Sequence, residues 1–169
     1  MIFKAAKFAQ ECHKTQFRKY TGQRYIEHPA RVASKVILLK GSTEEMVCAA
    51  WLHDVIEDCK VTFEELEKRF SFNIAYYVRE LTNTSKLDTK LNRAQRKEID
   101  CKRISEASIA ARMIKLCDRI DNFRDIPNSE GFKVKYYHET QLLLGFLHGT
   151  DKELESELQT LLFNFDNRS

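Results

Sequence analysis

Apolar residues recur along most of the chain at the three- to four-residue spacing that is typical of amphipathic α-helices. Five glycines and two prolines in 169 residues leave few interruptions, so long helices are expected. The spacing and the candidate caps predict helical segments at about 2–16, 29–41, 43–58, 62–70, 73–81, 109–126, 130–148 and 151–165. We therefore predict an all-α protein, folded as a single helical bundle over residues 1–169.

Two segments are apolar enough to lie in the core. The run Met46–Leu52 is apolar nearly all round, which indicates a central helix. A second buried helix is predicted from the apolar residues Ile109, Met113, Ile114, Leu116 and Ile120. After Pro29, an apolar stripe is predicted from Val32, Val36, Ile37 and Leu39. By contrast, residues 83–103 are rich in charge and predict a solvated helix or a loop.

Composition excludes several classes of protein. The chain carries 28 Lys and Arg against 25 Asp and Glu, a net charge of +3, which is too small for a general nucleic-acid binder. Five cysteines without a CxxC pair favour reduced thiols over a disulfide framework or a zinc finger. No segment approaches the roughly 18 apolar residues of a membrane span. We expect a cytoplasmic protein, and the sequence carries no pattern that sets its oligomeric state.

The segment Leu52–Asp58 carries the strongest chemical signal. Four side chains that can bind metal or protons interrupt an apolar helix there, and burying them unpaired would be costly. On a continuous helix, His53 would share a face with Glu57, and Asp54 would share a face with Asp58. We therefore expect His53 and Asp54 to hold an ion, with Glu57 and Asp58 as acid/base candidates one turn further on.

Two other residues could complete a metal site. His28 precedes Pro29 at a predicted helix start, and Asp118 interrupts the second apolar helix. Two imidazoles and two carboxylates suit Mn²⁺ better than a thiolate-rich zinc site, with Fe²⁺ and Mg²⁺ as alternatives. Each residue also has an ordinary structural interpretation: His28 could bond the backbone, and Asp118 could pair with Arg119 or Lys115. Glu57 and Asp58 could simply end a helix, although carboxylates there oppose the helix dipole.

Four ordered motifs resemble the HD-domain phosphohydrolases. The chain is most similar to the hydrolase domain of RelA/SpoT-type alarmone enzymes, especially the stand-alone small alarmone hydrolases, over about residues 3–165. The motifs are Phe17-Arg18-Lys19, Tyr25-Ile26-Glu27-His28-Pro29, Leu52-His53-Asp54-Val55-Ile56-Glu57-Asp58 and Lys115-Leu116-Cys117-Asp118-Arg119-Ile120-Asp121-Asn122.

The resemblance implies roles for individual residues in an all-helical HD domain. It implies a single-ion site, usually manganese, made by His28, His53, Asp54 and Asp118. Glu57 and Asp58 would orient and deprotonate the attacking water. The residues that the resemblance implies near the nucleotide substrate are Arg18, Lys19, Asn122, Lys97 and Tyr136. For Lys97, in a charged segment, solvated surface charge is the alternative.

The function that follows is a Mn²⁺-dependent removal of the 3′-pyrophosphate from (p)ppGpp or a close analogue. Near the loop Tyr20–Gln23 the chain departs from the family pattern, because Thr15 and Arg24 stand at positions that are usually a small residue and a proline. The choice between guanine and adenine therefore stays open. The alternatives are a (p)ppApp hydrolase, an NADPH phosphatase, an HD-type nucleotidase or phosphodiesterase, and a catalytically silent module that binds nucleotide or a partner protein. Roles for His13, His138, His148 and the cysteines are not assigned, except that Cys117 is expected to pack.

Overall fold

The computed structural model describes residues 1–85, 90–126 and 130–166, and this part of the chain is all-α, as predicted. Extended pairing among these residues is limited to an isolated antiparallel bridge between Phe17 and Arg24. The contacts divide the chain into two compact units, Met1–Thr82 and Asn83–Ser169. The single-domain interpretation of residues 1–169 stays a prediction. Within the described ranges, no helix is both long and apolar enough to cross a membrane.

The first unit is organised around one apolar helix. Its helices are α1 (Ile2–Cys12), α2 (Glu27–Val36), α3 (Glu44–Leu52), α4 (Val55–Cys59), α5 (Phe63–Arg69) and α6 (Phe72–Leu81). Helix α3 packs against α1, α2 and α6, and six of its nine residues are buried. An apolar helix without a polar face must be covered on several sides, so the predicted central position of Met46–Leu52 is confirmed.

Side-chain caps begin three helices of this unit. The hydroxyl of Thr43 accepts a hydrogen bond from the backbone N–H of Met46, and Thr62 accepts one from Glu65. The predicted helical segments 43–58 and 62–70 start at these two residues. Ser71 caps α6 in the same way, which moves the helix start slightly before the predicted Asn73. Each cap satisfies an N–H group that has no partner within its own helix.

The second unit contains α7 (Arg93–Ser105), α8 (Ile109–Arg124), α9 (Glu130–Phe146) and α10 (Lys152–Asp166). Helix α8 packs on α7 and α10, and α9 also packs on α7 and α10. Most of the second predicted core helix is indeed buried in α8. The charged segment forms α7, which begins with a capping box between Asn92 and Gln95. Residues 86–89 of that segment, and Pro127 and Asn128, lie outside the described residues.

One predicted helix end and two predicted core residues are wrong. Helix α1 ends at Cys12 and not near residue 16, because the chain turns back and the Tyr25 N–H donates to the Gln16 carbonyl. Ile37 is 53% exposed because α2 ends at Val36. Ile109 is 49% exposed because it is the first residue of α8. Spacing identified the helices, but it did not locate their ends.

Candidate metal centre and substrate-binding residues

Three predicted ligand atoms converge in the first unit. The Nε2 atoms of His28 and His53 are 3.2 Å apart. The Asp54 Oδ2 atom lies 3.0 Å from His53 Nε2 and 3.8 Å from His28 Nε2. Both imidazoles are buried, at 1% and 3% exposure, whereas the Asp54 side chain is 20% exposed. The cluster therefore has a buried side and a solvent-accessible side.

Helix termini place these three side chains. His28 lies in the first turn of α2, directly before Pro29, a position where the missing proline N–H costs nothing. His53 follows the last residue of α3, and Asp54 precedes the first residue of α4. The predicted continuous helix through Leu52–Asp58 is therefore wrong. The break occurs at Asp54, whose φ of −102° and ψ of −4° lie in the bridge region.

Hydrogen bonds fix the chemical state of His53 and the position of Asp54. His53 Nδ1 lies 2.8 Å from the Ala50 carbonyl oxygen, which can only accept a hydrogen bond, so Nδ1 carries the proton. In the neutral ring, Nε2 then presents a lone pair toward His28. The Tyr25 hydroxyl donates to Asp54 Oδ2 over 2.6 Å. Such supporting bonds are typical of residues that surround metal ligands.

The three atoms fit one divalent ion. Neighbouring ligands of an octahedral ion with bonds near 2.1 Å are about 3.0 Å apart, and those of a tetrahedral ion about 3.4 Å. The observed separations of 3.0, 3.2 and 3.8 Å cover these values. A lone pair facing a second imidazole and a carboxylate is also the arrangement that a cation stabilises. The donor set of two nitrogens and one oxygen suits borderline to hard ions.

Glu57 and Asp58, the predicted acid/base pair, lie on α4, immediately after the ligands. Glu57 is half-buried and Asp58 is exposed. The backbone N–H of Asp58 donates to the Asp54 carbonyl, so Asp58 lies one helical turn after the proposed ligand Asp54. Asp58 Oδ2 accepts a hydrogen bond from Gln16 Nε2 over 2.9 Å. The carboxylate is therefore held in a defined orientation.

Arg18 and Lys19 lie on a short loop that closes on itself. Arg18 donates its backbone N–H to the Gln23 carbonyl, and its own carbonyl accepts from the Gly22 N–H. The Arg18 guanidinium lies 5.7 Å from the centre of the Tyr25 ring. The Lys19 ammonium lies 5.4 Å from the Tyr20 ring and is exposed. Both cations contact aromatic faces, a favourable cation–π arrangement.

Asp118 occupies a buried position on α8, at 5% exposure. Its Oδ2 pairs with Lys115 Nζ over 2.8 Å, and its Oδ1 accepts a hydrogen bond from Asn122 Nδ2. One alternative for Asp118, the ion pair with Lys115, is therefore realised. An ion pair through one oxygen does not remove the capacity of a carboxylate to bind a metal, because its two oxygens have several lone pairs.

Lys97 and Tyr136 belong to a cationic cluster in the second unit, which also includes Arg119. The Arg119 guanidinium is 7% exposed and lies 4.6 Å from the centre of the Tyr136 ring. Burial lowers the pKa of Lys97, and the charges of Arg119 and Lys115 lower it further. Burial raises the pKa of Tyr136, against the opposing effect of Arg119, so Tyr136 is a neutral hydroxyl at neutral pH.

Comparison with known proteins decides the family. The HD domain family model matches residues 5–144, which include the converging histidines and Asp54. The chain belongs to the HD-domain family. In this chain, the adjacent residues His53 and Asp54 form the junction between α3 and α4.

Relatives narrow the family further. The guanosine-3′,5′-bis(diphosphate) 3′-pyrophosphohydrolase MESH1 of Xenopus tropicalis is 33% identical, covering 97% of this chain and 94% of its own length. The human protein of that name is 34% identical over 95% of this chain. An Aquifex aeolicus hydrolase with the same activity in its name is 39% identical over 74% of this chain, although that region is 18% of its length. The HD-domain chain therefore belongs to the family of these hydrolases.

Solved structures agree with the fold. A metazoan ortholog of SpoT, described as hydrolyzing ppGpp and acting in starvation responses, superposes with a TM-score of 0.85. It is 28% identical and the match covers 99% of this chain and 95% of the other. The protein lmo0812 of Listeria monocytogenes, at 20% identity and a TM-score of 0.68, supports the HD-domain fold alone.

Several residues that contact the candidate site were not predicted. Tyr25 lies in a recognised motif, but no role was assigned to it, and the contacts of His13 and Gln16 have no local signal. Arg119 was considered only as a partner for Asp118. Of the remaining histidines, His138 contacts Gln141 and His148 pairs with Glu155 on the surface of the HD-domain chain, whereas His13 is buried.

Proposed function

We propose that this chain removes the 3′-pyrophosphate from (p)ppGpp by a Mn²⁺-dependent hydrolysis. The observation that carries the proposal is the convergence of two imidazole nitrogens and a carboxylate oxygen within 3.8 Å. The names of the relatives, which are 3′-pyrophosphohydrolases of guanosine-3′,5′-bis(diphosphate), supply the substrate and the scissile bond. A small nucleotide also agrees with a net charge of +3, which gives no general affinity for nucleic acid.

His28, His53 and Asp54 would hold the ion, and we propose Asp118 as a fourth ligand. Manganese is our choice because imidazole and carboxylate ligands together suit it, and because no thiolate belongs to this set. A bound divalent ion would acidify water and polarise a phosphoryl oxygen. The hydrogen bond from His53 to the Ala50 carbonyl supports this role because it keeps Nε2 available for a ligand bond.

Glu57 and Asp58 would orient the attacking water and take its proton. Asp58 Oδ2 already accepts a hydrogen bond from Gln16, so its other oxygen, Oδ1, would accept a hydrogen bond from the water and orient it. Glu57, one residue earlier and half-buried, is our main candidate for the general base, because partial burial strengthens its interaction with a nearby proton donor.

Cationic and polar side chains would hold the phosphate groups of the nucleotide. In the first unit these are Arg18 and Lys19, and in the second they are Lys97, Tyr136 and Asn122, which the resemblance implied. Arg119 joins this set because it contacts Tyr136 and lowers the pKa of Lys97. Burial is the main cause of the lowered pKa of Lys97, and the charges of Arg119 and Lys115 lower that pKa further. A bound polyanion would relieve the repulsion between these cations.

The cell compartment is also a proposal. None of the five cysteines forms a disulfide, which agrees with a reducing cytoplasm. Three of them, Cys48, Cys101 and Cys117, are buried, so they pack in the interior. We propose a cytoplasmic enzyme on this basis.

The test is a substrate comparison with separate product assays. Purified, metal-stripped protein is incubated with ppGpp, ppApp and NADPH, each with and without Mn²⁺, and pyrophosphate and orthophosphate are measured independently. We expect pyrophosphate from ppGpp only with the metal. Faster release of pyrophosphate from ppApp than from ppGpp would show a preference for adenine. Orthophosphate released from NADPH, with no pyrophosphate from the other substrates, would identify a phosphatase. No product from any substrate would contradict an enzymatic function and support the silent binding module.

A further inference from the structure

We propose that Gln16 and His13 are positioning residues that hold the Asp58 carboxylate in its working orientation. The inference rests on the proposed function, because it gives Asp58 a role in orienting the attacking water. It adds two residues from the segment that follows α1, which the sequence motifs did not assign. Neither side chain is proposed to touch the substrate.

A continuous line of hydrogen bonds connects the two residues to Asp58. His13 Nδ1 lies 2.7 Å from Gln16 Oε1, and Gln16 Nε2 donates to Asp58 Oδ2 over 2.9 Å. Gln16 and Asp58 are 42 residues apart in the sequence. The segment after α1 is thereby connected to the end of α4.

The chemistry of the three groups sets the direction of this line. An ionised carboxylate only accepts hydrogen bonds, so the Gln16 amide must present its NH₂ group to Asp58. The amide oxygen then faces His13 and requires a donor, which means that His13 Nδ1 carries a proton. If Nδ1 lacked its proton, its lone pair would face the Gln16 amide oxygen and the contact would have no donor. The line of hydrogen bonds is therefore complete only when His13 Nδ1 carries a proton.

Packing holds the line in place. His13 is 2% exposed and stacks on the Tyr25 ring at a centroid distance of 4.7 Å. Cys59 Sγ lies 3.4 Å from His13 Nδ1, and burial raises the pKa of that thiol to about 12. The Gln16 backbone is fixed as well, because its N–H donates to the His13 carbonyl and its carbonyl accepts from Tyr25.

The same segment also supports the metal centre. Tyr25, which stacks on His13, donates its hydroxyl to Asp54 Oδ2. One packed segment therefore orients two carboxylates: Asp54 through Tyr25, and Asp58 through Gln16. This gives a role to His13, which is not one of the proposed metal ligands and is buried beside Tyr25 and Cys59.

The first test is the substitution Gln16→Glu, which is nearly isosteric and places an oxygen where the NH₂ group was. We expect kcat for pyrophosphate release to fall about 10- to 100-fold, with KM within about twofold and with unchanged Mn²⁺ affinity. The matched control is Gln10→Glu, the same chemical change on exposed Gln10 of α1, which should leave all three values unchanged. An unchanged kcat in Gln16→Glu beside an active parent would overturn this inference and leave the proposed function intact.

The second test changes the donor at position 13. In His13→Asn the amide NH₂ can occupy the place of Nδ1–H, so we expect kcat to stay within about threefold, whereas His13→Leu should lose as much as Gln16→Glu. Equal losses in both would contradict the donor role. A readout without turnover is ¹⁵N NMR of the parent protein: the inference requires a proton on His13 Nδ1, and a ring protonated only at Nε2 would overturn it even if every variant were inactive or unfolded.

Discussion

Asp54 in the first unit and Asp118 in the second are both carboxylates at positions predicted to bind the ion, but their surroundings differ. Asp54 contacts the two histidine Nε2 atoms and the hydroxyl of Tyr25. Asp118 contacts an ammonium, that of Lys115, and the amide of Asn122. A carboxylate beside imidazoles gains most from an added cation, whereas one that is paired with a lysine already has a counter-charge.

This difference separates two contributions that a metal ligand can make. Asp54 would contribute to the ion and little to folding, because the break between α3 and α4 leaves it 20% exposed. Asp118 would contribute to both, because it is buried and its ion pair with Lys115 is part-buried in the second unit. Substitutions at the two positions should therefore differ in stability even where they agree in activity.

The largest expected effect is that of Asp54→Ala. It should abolish Mn²⁺ binding and lower kcat/KM by about 10³-fold or more, since several kcal/mol of transition-state stabilisation come from the ion. Its thermal unfolding in metal-free buffer should stay close to that of the parent, because a bound ion would stabilise only the parent. Metal content by mass spectrometry, turnover and calorimetry measure the three values, and retained Mn²⁺ would show that Asp54 is not a ligand.

Asp118→Asn should lose activity and also stability. Breaking this part-buried ion pair leaves the Lys115 ammonium without the Asp118 carboxylate, and we expect a loss of about 2 kcal/mol in the free energy of unfolding. The double variant Asp118→Asn with Lys115→Met should recover stability in denaturant unfolding but not the metal. Recovery of both would assign Asp118 to folding alone.

Glu57→Gln should separate ion binding from chemistry. The amide keeps the shape of the side chain but cannot take a proton, so kcat should fall about 10²- to 10⁴-fold while the Mn²⁺ content stays at the level of the parent. Turnover and metal content on the same preparation are the measurement. Normal turnover in this variant would show that Glu57 is not the general base and would assign that role to Asp58.

Lys97→Met tests the cationic cluster in the second unit. Removing one cation should raise KM about tenfold, the size of a lost charge-assisted hydrogen bond. The folded-state pKa of Lys97 is lowered, so its charge destabilises the fold below that pKa, and the penalty disappears as the pH rises toward the unfolded value of about 10.4. The variant should therefore unfold at a higher temperature than the parent at pH 7, and the difference should shrink by pH 10. An unchanged KM would show that Lys97 does not bind the substrate.

The smallest effects concern two glycines, one in each unit. Gly22 has a φ of +70° with no atom near its absent side chain, so Gly22→Ala should cost about 1 kcal/mol of stability through backbone strain alone. Gly131 lies in α9 with ordinary dihedral angles, and Gly131→Ala should stabilise by about 0.5 kcal/mol. Denaturant unfolding of both variants measures the change in the free energy of unfolding, which should have opposite signs. Changes of the same sign would contradict the positive φ of Gly22 in its loop.

The sequence predicted what depends on neighbours along the chain. The helices, the caps at Thr43 and Thr62, and the central position of α3 follow from spacing and from short-range hydrogen bonds. The break at Asp54 was not predictable in this way, because both sides of it have helical patterns and the local dihedral change of one residue leaves no mark on spacing.

Contacts between distant segments account for the rest. Tyr25 and Asp54 are 29 residues apart, and Cys59 and His13 are 46 apart. Each of these side chains has common structural roles when taken alone, so only the folded chain shows that they meet. The convergence of His28 with His53 was predicted because ordered motifs implied it, not because the spacing required it.

The most direct test of the proposed function is a crystal grown with Mn²⁺ and measured at the manganese absorption edge. We expect one strong anomalous peak within bonding distance of His28 Nε2, His53 Nε2 and Asp54 Oδ2, and none in the same place for the Asp54→Ala variant. Histidine rings that point apart with no peak between them would contradict it, and the proposed hydrolysis would then have no site in this protein.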